Sequence, residues 1–256
     1  AYALSRERAS GHLGKAEAWY VLTSAPGATV SWGFRRDVTA AEVRAAVTDG
    51  SLPSLLNRLP VAAGDVIVNP AGLVHAVGAG VKLFEIQQSS DLTYRLFDYD
   101  RRDATGRPRE LHVDKALDVA QLRRSAAADM FGRVASGPVV ANRWRRLVQL
   151  PEFVMDAVEL GEAGAPARLR DATTPASLEL LVLSRGEVTV SAGEAVRTGE
   201  AVGAVEAVGA GEAASAGKAV TMRQGDAVLL PALAGAYVLE GAGEVLRCAV
   251  EKPLPG

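Results

Sequence analysis

Two side chains of this chain, Glu17 and His75, are of the kinds that bind transition metals. His75 ends the run GDVIVNPAGLVH, which reads as a Gly-Asp turn, a β-branched strand, a Pro-Ala-Gly turn and the start of another strand. Glu17 lies in the run GKAEAWYVL, where the alternation of a strand places Lys15, Glu17 and Trp19 on one face. An inward Glu17 could therefore meet His75. We expect both to bind one zinc ion, since carboxylate and imidazole are ordinary zinc ligands.

Each of these residues also has a plainer interpretation. A lone histidine is more often a structural residue than a metal ligand. Here the spacing of Gly64, Pro70, Gly72 and His75 matches the second signature motif of a cupin barrel, and this setting favours metal binding. Lys15 could form only a surface ion pair with its neighbour, or its ammonium group could move protons at the site.

A third stretch, EIQQSSDLTYRLFDYDR, carries more polar groups than a solvated loop needs. It follows directly after an apolar strand. Within it, Asp91 and Arg95 are either a structural ion pair or parts of the same site, and the residues alone leave both alternatives open.

The elements that must position these residues are strands, and they occur in two copies. In each copy an apolar strand leads through a Gly turn to a second strand, and later a Gly-Asp turn opens a strand that ends in Pro. The first copy covers residues 19–33 and 61–88, and the second covers residues 180–193 and 222–250. The repeat predicts a mainly β fold of two cupin-type β-barrels, a bicupin, with domains at 1–125 and 126–256. When Pro70 is aligned with Pro231, Ala236 stands opposite His75, so we expect the second barrel to lack the metal.

Helices and one loop interrupt this pattern. Thr39 and Glu42 have capping-box spacing, so a helical insert over 39–59 is expected on the first barrel, broken at Gly50 and Pro53. A further helix is expected over 113–124. The Ala- and Gly-rich stretch at 191–218 lacks bulky residues and predicts an expanded surface loop in the second barrel.

Composition limits the classes of partner. With 256 residues, 48% of them hydrophobic, the chain can bury a large core, and its net charge of −2 offers no field for nucleic acid or an anionic membrane. A single cysteine, no signal segment and no apolar run of membrane-spanning length predict a cytoplasmic protein with a small-molecule partner, as a monomer or weak homo-oligomer. The chain opens at Ala1 without a methionine, and we expect it to be a piece of a longer protein.

Four ordered motifs together resemble one family. These are GKAEAWYVL, GDVIVNPAGLVH, EIQQSSDLTYRLFDYDR and GRPRELHVDKALDV, and they are similar to the bacterial type I mannose-6-phosphate isomerases over roughly residues 1–125. The resemblance implies a zinc enzyme that interconverts mannose 6-phosphate and fructose 6-phosphate. It further implies Glu17 and His75 as metal ligands, and Lys15, Asp91 and Arg95 as catalytic residues. No Gly-rich phosphate loop is present, so the phosphate-binding residues are not identified.

The chain departs from the family pattern at its start. The remaining zinc ligands of the family lie in a Gln-x-His stretch that should end just before Ala1, and His12 lacks that context. We therefore expect about half of a zinc shell. A non-catalytic bicupin that binds a sugar or sugar phosphate is the main alternative. An iron oxygenase is disfavoured, because the usual arrangement of two histidines and a glutamate is missing.

Overall fold

A computed structural model of the chain describes residues 14–90, 92–126, 129, 139–161, 165–192, 205–208, 213–214 and 219–250. The chain divides into two compact units, Ala1–Gly132 and Arg133–Gly256. Strands dominate both units, so the predicted mainly β class is confirmed. The closed cupin form of each barrel and the domain boundary after residue 125 stay predictions.

In the described part of the first unit there are two three-stranded antiparallel sheets. One sheet has the order β4-β1-β6 and the other β3-β2-β5, and the strands are β1 (Glu17–Ser24), β2 (Thr29–Phe34), β3 (Leu56–Pro60), β4 (Val66–Asn69), β5 (His75–Val77) and β6 (Val81–Gln87). One apolar core draws on both sheets, with Trp19 and Val21 from β1 packed in the same cluster as Val30 and Trp32 from β2. Because alternate residues of a strand share a face, Glu17 points toward the same interior as Trp19.

The helices of the first unit are short. They are α1 (Ala40–Thr48), α2 (Leu52–Leu55) and α3 (Val113–Val119). The predicted capping box at the start of α1 is confirmed: the backbone N–H of Glu42 donates to the Thr39 hydroxyl, and the Thr39 N–H donates to the Glu42 carboxylate. This cap satisfies backbone donors that an open helix end leaves without partners.

Two parts of the helix prediction are wrong. Residues 56–60 form β3 rather than helix, because this segment pairs with β2 and the Asn57 side chain donates to the carbonyls of Trp32, Phe34 and Ser125. The helix predicted over 113–124 ends at Val119, after which the chain is extended. In both places tertiary hydrogen bonds override an apolar spacing that also suits a helix.

The second unit forms a nine-stranded sheet among the described residues. Its main order is β12-β11-β14-β10-β15-β8-β7, with β13 on β10 and β9 on β15, and the strands are β7 (Arg145–Gln149), β8 (Val154–Leu160), β9 (Ala167–Ala172), β10 (Glu179–Ala192), β11 (Val205–Val208), β12 (Ala213–Ala214), β13 (Ala219–Arg223), β14 (Ala227–Leu230) and β15 (Ala236–Ala249). The prediction of a plain loop at 191–218 is thus wrong at β11 and β12, where β11 pairs with β14. Most of that stretch lies outside the described residues.

Buried charge is a further feature of the second unit. Arg247 is fully buried, its guanidinium lies 2.6 Å from Asp156 and 2.5 Å from Asp171, and it stacks on the Trp144 ring at 4.1 Å. Ala236 begins β15 where the alignment with the first unit places His75. No helix in the described part of the chain has the length and apolar character that a membrane crossing requires.

Candidate active site

The two sheets of the first unit bring Glu17 and His75 together. Glu17 is the first residue of β1, and His75 is the first residue of β5 in the other sheet. The Glu17 carboxylate oxygen Oε2 lies 3.1 Å from Nε2 of His75. The Trp19 ring, on the same face as Glu17, meets the imidazole edge to face with ring centroids 5.2 Å apart. The approach follows from strand alternation on one sheet and from the turn before His75 on the other.

The proton positions on His75 follow from its second ring nitrogen. Nδ1 lies 2.9 Å from the Leu73 carbonyl oxygen, which can only accept a hydrogen bond, so Nδ1 carries a proton. In a neutral imidazole, Nε2 then presents a lone pair to a carboxylate oxygen 3.1 Å away. Two acceptors at this distance repel each other unless a proton or a metal cation lies between them. The pair is therefore either an imidazolium–carboxylate ion pair or one edge of a cation site.

Glu17 is ionised in this setting. Its side chain is only 3% exposed, its Oε1 lies 2.5 Å from the Lys15 ammonium nitrogen, and its Oε2 faces His75. Burial alone would raise the pKa of the Glu17 carboxyl, but the hydrogen bonds and charges of His75 and then of Lys15 outweigh burial and hold that pKa below its ordinary value. Lys15 is thus more than a surface ion-pair partner, since the charge it contacts is buried.

A cavity of about 1100 Å³ opens beside these residues. It is large enough for a sugar phosphate, because ligand pockets usually measure roughly 300 to 1,000 Å³. Its lining includes ionisable side chains from five separate parts of the unit, namely Lys15 and Glu17, Arg58, His75, Glu85, and the group of Arg95, Asp98, Arg101 and Arg109.

Arg95 lies on this cavity, and its partners among the described residues are Glu110 and Asp98. Its Nη1 donates to the Glu110 carbonyl at 3.1 Å, and its Nε lies 4.0 Å from the Asp98 carboxylate. Asp91 lies outside the described residues, and so does His12. The pairing of Asp91 with Arg95 therefore stays a prediction.

Sequence reasoning missed four site residues, of which three, Asp98, Arg101 and Arg109, form one cluster. Asp98 is 6% exposed and accepts hydrogen bonds from Arg109 Nε at 2.7 Å and from Arg101 Nη2 at 2.9 Å. The Arg109 hydrogen bonds, with the charges and hydrogen bond of Arg101, hold the pKa of Asp98 at about 2 despite its burial. The spacing of Asp98 and Arg101 was a visible signal, whereas the contact with Arg109 crosses a loop and leaves none in the local pattern.

A second missed residue type is a buried amide next to Glu17. Asn69 is fully buried on β4, and neither polar atom of its side chain has a hydrogen-bond partner among the described residues. Asn69 stands directly opposite Glu17 in the antiparallel register, so the two side chains share one face of the sheet. Buried amides are nearly always hydrogen-bonded, and an unsatisfied one here fits a site that takes up a further polar group.

These residues fit part of a zinc shell. The separation of 3.1 Å between Glu17 and His75 suits two donors of one tetrahedral ion, which lie roughly 3.3 Å apart. Among the described residues, no group of three His, Cys, Asp or Glu side chains could hold a metal ion. Glu17 and His75 would supply two of the four donors that a tetrahedral zinc site needs.

Comparison with known proteins gives a partial match in sequence and a broader one in fold. No protein-family model matches the chain. A mannose-6-phosphate isomerase of Streptococcus mutans is 42% identical over 128 residues, which make up 50% of this chain and 39% of that protein. The chain thus matches well under half the length of this curated relative.

Solved structures cover more of the chain. The crystal structure of the mannose 6-phosphate isomerase from Bacillus subtilis matches 96% of this chain and 68% of its own, with a TM-score of 0.71 and 24% identity. A mannose 6-phosphate isomerase bound with zinc and yttrium matches 98% of this chain and 73% of its own, with a TM-score of 0.60 and 13% identity. The resemblance to the bacterial type I mannose-6-phosphate isomerases is therefore confirmed in sequence over half of the chain and in fold over nearly all of it.

Proposed function

We propose that this chain carries the catalytic part of an isomerase that interconverts mannose 6-phosphate and fructose 6-phosphate. One observation carries the proposal: the Glu17 carboxylate is held between the Lys15 ammonium group at 2.5 Å and His75 Nε2 at 3.1 Å, on a cavity of sugar-phosphate size. The sequence relationship to a curated mannose-6-phosphate isomerase supports the choice of substrate.

Zinc is the cofactor that these residues fit. Glu17 Oε2 and His75 Nε2 would hold it, with Nδ1 of His75 oriented by its hydrogen bond to the Leu73 carbonyl. A related fold is found in an isomerase bound with zinc and yttrium. When bound, a zinc ion supplies Lewis-acid polarisation of the two neighbouring sugar oxygens.

The remaining chemistry belongs to side chains on the cavity. Isomerisation through an enediol moves one proton from the hydroxyl-bearing carbon to the neighbouring carbonyl carbon, and a second proton from the hydroxyl oxygen to the carbonyl oxygen. Lys15 would donate a proton as the ammonium or accept one as the amine, and its position at the cavity wall beside Glu17 supports this role. Asp91 is the second candidate for proton movement, and Arg95 would stabilise the negative charge that develops on the sugar oxygens.

The second candidate function is binding without catalysis. It is favoured by the finding that only two zinc donors lie together in the described residues. A bicupin with an incomplete metal shell would still offer the cavity and its cationic lining to a sugar phosphate.

A coupled assay separates the two candidates. Mannose 6-phosphate is supplied, fructose 6-phosphate is followed, and zinc content is measured on the same samples, both for the 256-residue chain and for the longest product of its gene. The isomerase proposal predicts turnover in at least the longest product, lost with EDTA and restored by zinc. His75→Asn should lose zinc and activity together, while the matched variant His112→Asn keeps its zinc, because His112 lies apart from Glu17 and contacts the backbone N–H of Arg95. Tight binding of mannose 6-phosphate with no turnover in either protein would favour the binding function.

A further inference from the structure

Three arginines converge on one carboxylate at the cavity wall. Asp98 accepts from Arg109 through Nε and Nη2, accepts from Arg101 through Nη2 at 2.9 Å, and lies 4.0 Å from Nε of Arg95. All four residues line the cavity that also contains Glu17 and His75. The cluster is separate from the Glu17–His75 pair in the chain, since it lies on the segment that follows β6.

The charges of this cluster do not balance. Three guanidinium groups carry three positive charges and Asp98 carries one negative charge, so within this cluster of described residues two positive charges remain. Arg109 contacts both oxygens of Asp98, and Oδ1 also accepts from Arg101. One carboxylate thus holds the arginines in place without neutralising them.

The arginines also keep donors for another acceptor. The side chains of Arg101 and Arg109 are 65% and 43% exposed. Arg101 donates through Nε to the Asp98 backbone carbonyl and through Nη2 to the Asp98 carboxylate, and Arg109 donates to that carboxylate through Nε and Nη2. Among the described residues, the Nη1 group of each arginine is therefore left for a ligand. A planar guanidinium matches the geometry of a phosphate oxygen pair, and its charge strengthens each hydrogen bond.

The loop that carries these arginines is internally braced. Asp103 accepts hydrogen bonds from the backbone N–H groups of Thr105 at 2.8 Å and Arg107 at 3.0 Å, and its own N–H donates to the Arg107 carbonyl. Tyr99 and Asp100 have positive φ angles of 54° and 52°, a conformation that non-glycine residues adopt only when their surroundings enforce it. The loop therefore presents Arg101 and Arg109 from a fixed backbone, which lowers the entropy lost on binding.

We propose that Arg101 and Arg109 bind the phosphate group of a sugar phosphate in this cavity. This proposal rests on the proposed function for the identity of the sugar, whereas the phosphate site itself does not depend on turnover. Asp98 acts as the positioning residue, because it holds both guanidinium groups at the wall while leaving the cluster positive.

Binding measurements test the phosphate site directly. Isothermal titration with inorganic phosphate, mannose 6-phosphate and mannose is carried out on the 256-residue chain and its Arg101→Gln and Arg109→Gln variants. The matched control is Arg102→Gln, since Arg102 is on the same loop and 54% exposed, pairs with Asp100 and does not line the cavity. Arg101→Gln leaves the bidentate contact of Arg109 with Asp98, so the fold should persist, and thermal unfolding checks this.

We expect Arg101→Gln and Arg109→Gln each to weaken mannose 6-phosphate binding about tenfold, with mannose binding unchanged and Arg102→Gln behaving as the parent chain. Inorganic phosphate should show the same losses. If both cavity variants bind mannose 6-phosphate and phosphate as tightly as the Arg102→Gln control, the phosphate site is refuted. If phosphate binding depends on these arginines but the isomerase assay shows no turnover, the phosphate site stands and the proposed reaction fails.

Discussion

Replacing Glu17 with glutamine in the metal-free chain tests whether its buried charge is stabilised by its neighbours. The carboxylate is 3% exposed and contacts Lys15 at 2.5 Å and His75 at 3.1 Å. These contacts lower the pKa of Glu17, so the folded chain stabilises the ionised side chain more than the protonated one. Glutamine resembles the protonated side chain and should lose this stabilisation.

The magnitude follows from the two contacts. Hydrogen bonds to charged groups each contribute roughly 1.5 to 3 kcal/mol to stability. A glutamine at position 17 keeps one of the two hydrogen bonds and avoids the free-energy cost of burying a charge, so the loss is smaller than the sum. Lys15, with a side chain 23% exposed, can also turn toward water. We therefore expect Glu17→Gln to lower the free energy of unfolding at pH 7 by about 1 to 3 kcal/mol.

The sign of the pH dependence provides a second test. A carboxyl whose pKa is lowered by folding stabilises the folded chain above its unfolded pKa of 4.5, and this contribution is lost as pH falls through the folded pKa. The difference in free energy of unfolding between the parent and Glu17→Gln should thus be largest at pH 7 and should shrink as pH falls below 4.5. Urea unfolding in EDTA, followed by tryptophan fluorescence, measures it through Trp19 and Trp32, which lie in the core beside Glu17.

Glu240→Gln is the matched control. Glu240 is 65% exposed and its nearest arginine nitrogen is 3.9 Å away, so this substitution should change stability by less than about 0.5 kcal/mol. A Glu17→Gln chain as stable as this control at pH 7, or one whose difference from the parent grows as pH falls, would refute the reasoning.

Three further predictions concern the rest of the site. Asn69→Leu removes a buried amide that has no hydrogen-bond partner in the described part of the chain, so metal-free stability in urea should hold or rise by about 1 kcal/mol, while zinc affinity measured by competition with a chelator should fall. Arg95→Ala in the longest active gene product should lower kcat about a hundredfold and KM little, since a charge that develops in the transition state loses its partner; equal changes in both would contradict this role. Between pH 3.8 and about 2 the parent should lose stability as Asp98 is protonated, and Asp98→Asn should remove this part of the pH dependence of unfolding. If acid unfolding curves of the two chains superimpose, the contacts of the arginine cluster with Asp98 do not stabilise the fold.

The Glu17–His75 pair was predictable because both positions depend on local rules. A turn of fixed spacing places His75 at the start of β5, and strand alternation turns Glu17 inward. The capping box of α1 was predictable for the same reason, since Thr39 and Glu42 act within one turn. Such features need only residues close together in sequence.

The remaining features depend on contacts that the local pattern does not contain. Residues 56–60 form a strand because Asn57 meets carbonyls on β2 and at Ser125, far away along the chain. Asp98 and Arg109 meet across a loop whose closure depends on Asp103. A sequence shows these residues as ordinary polar positions, and only the folded chain shows that they share a cavity wall.

The central claim is that Glu17 and His75 are ligands of one zinc ion. Anomalous diffraction at the zinc absorption edge, on crystals of the chain grown with zinc, tests it most directly. We predict an anomalous peak about 2.0 to 2.2 Å from both Glu17 Oε2 and His75 Nε2, absent in crystals of His75→Asn grown alongside. A zinc peak elsewhere in the chain, with Glu17 and His75 still in direct contact at 3.1 Å, would contradict the account.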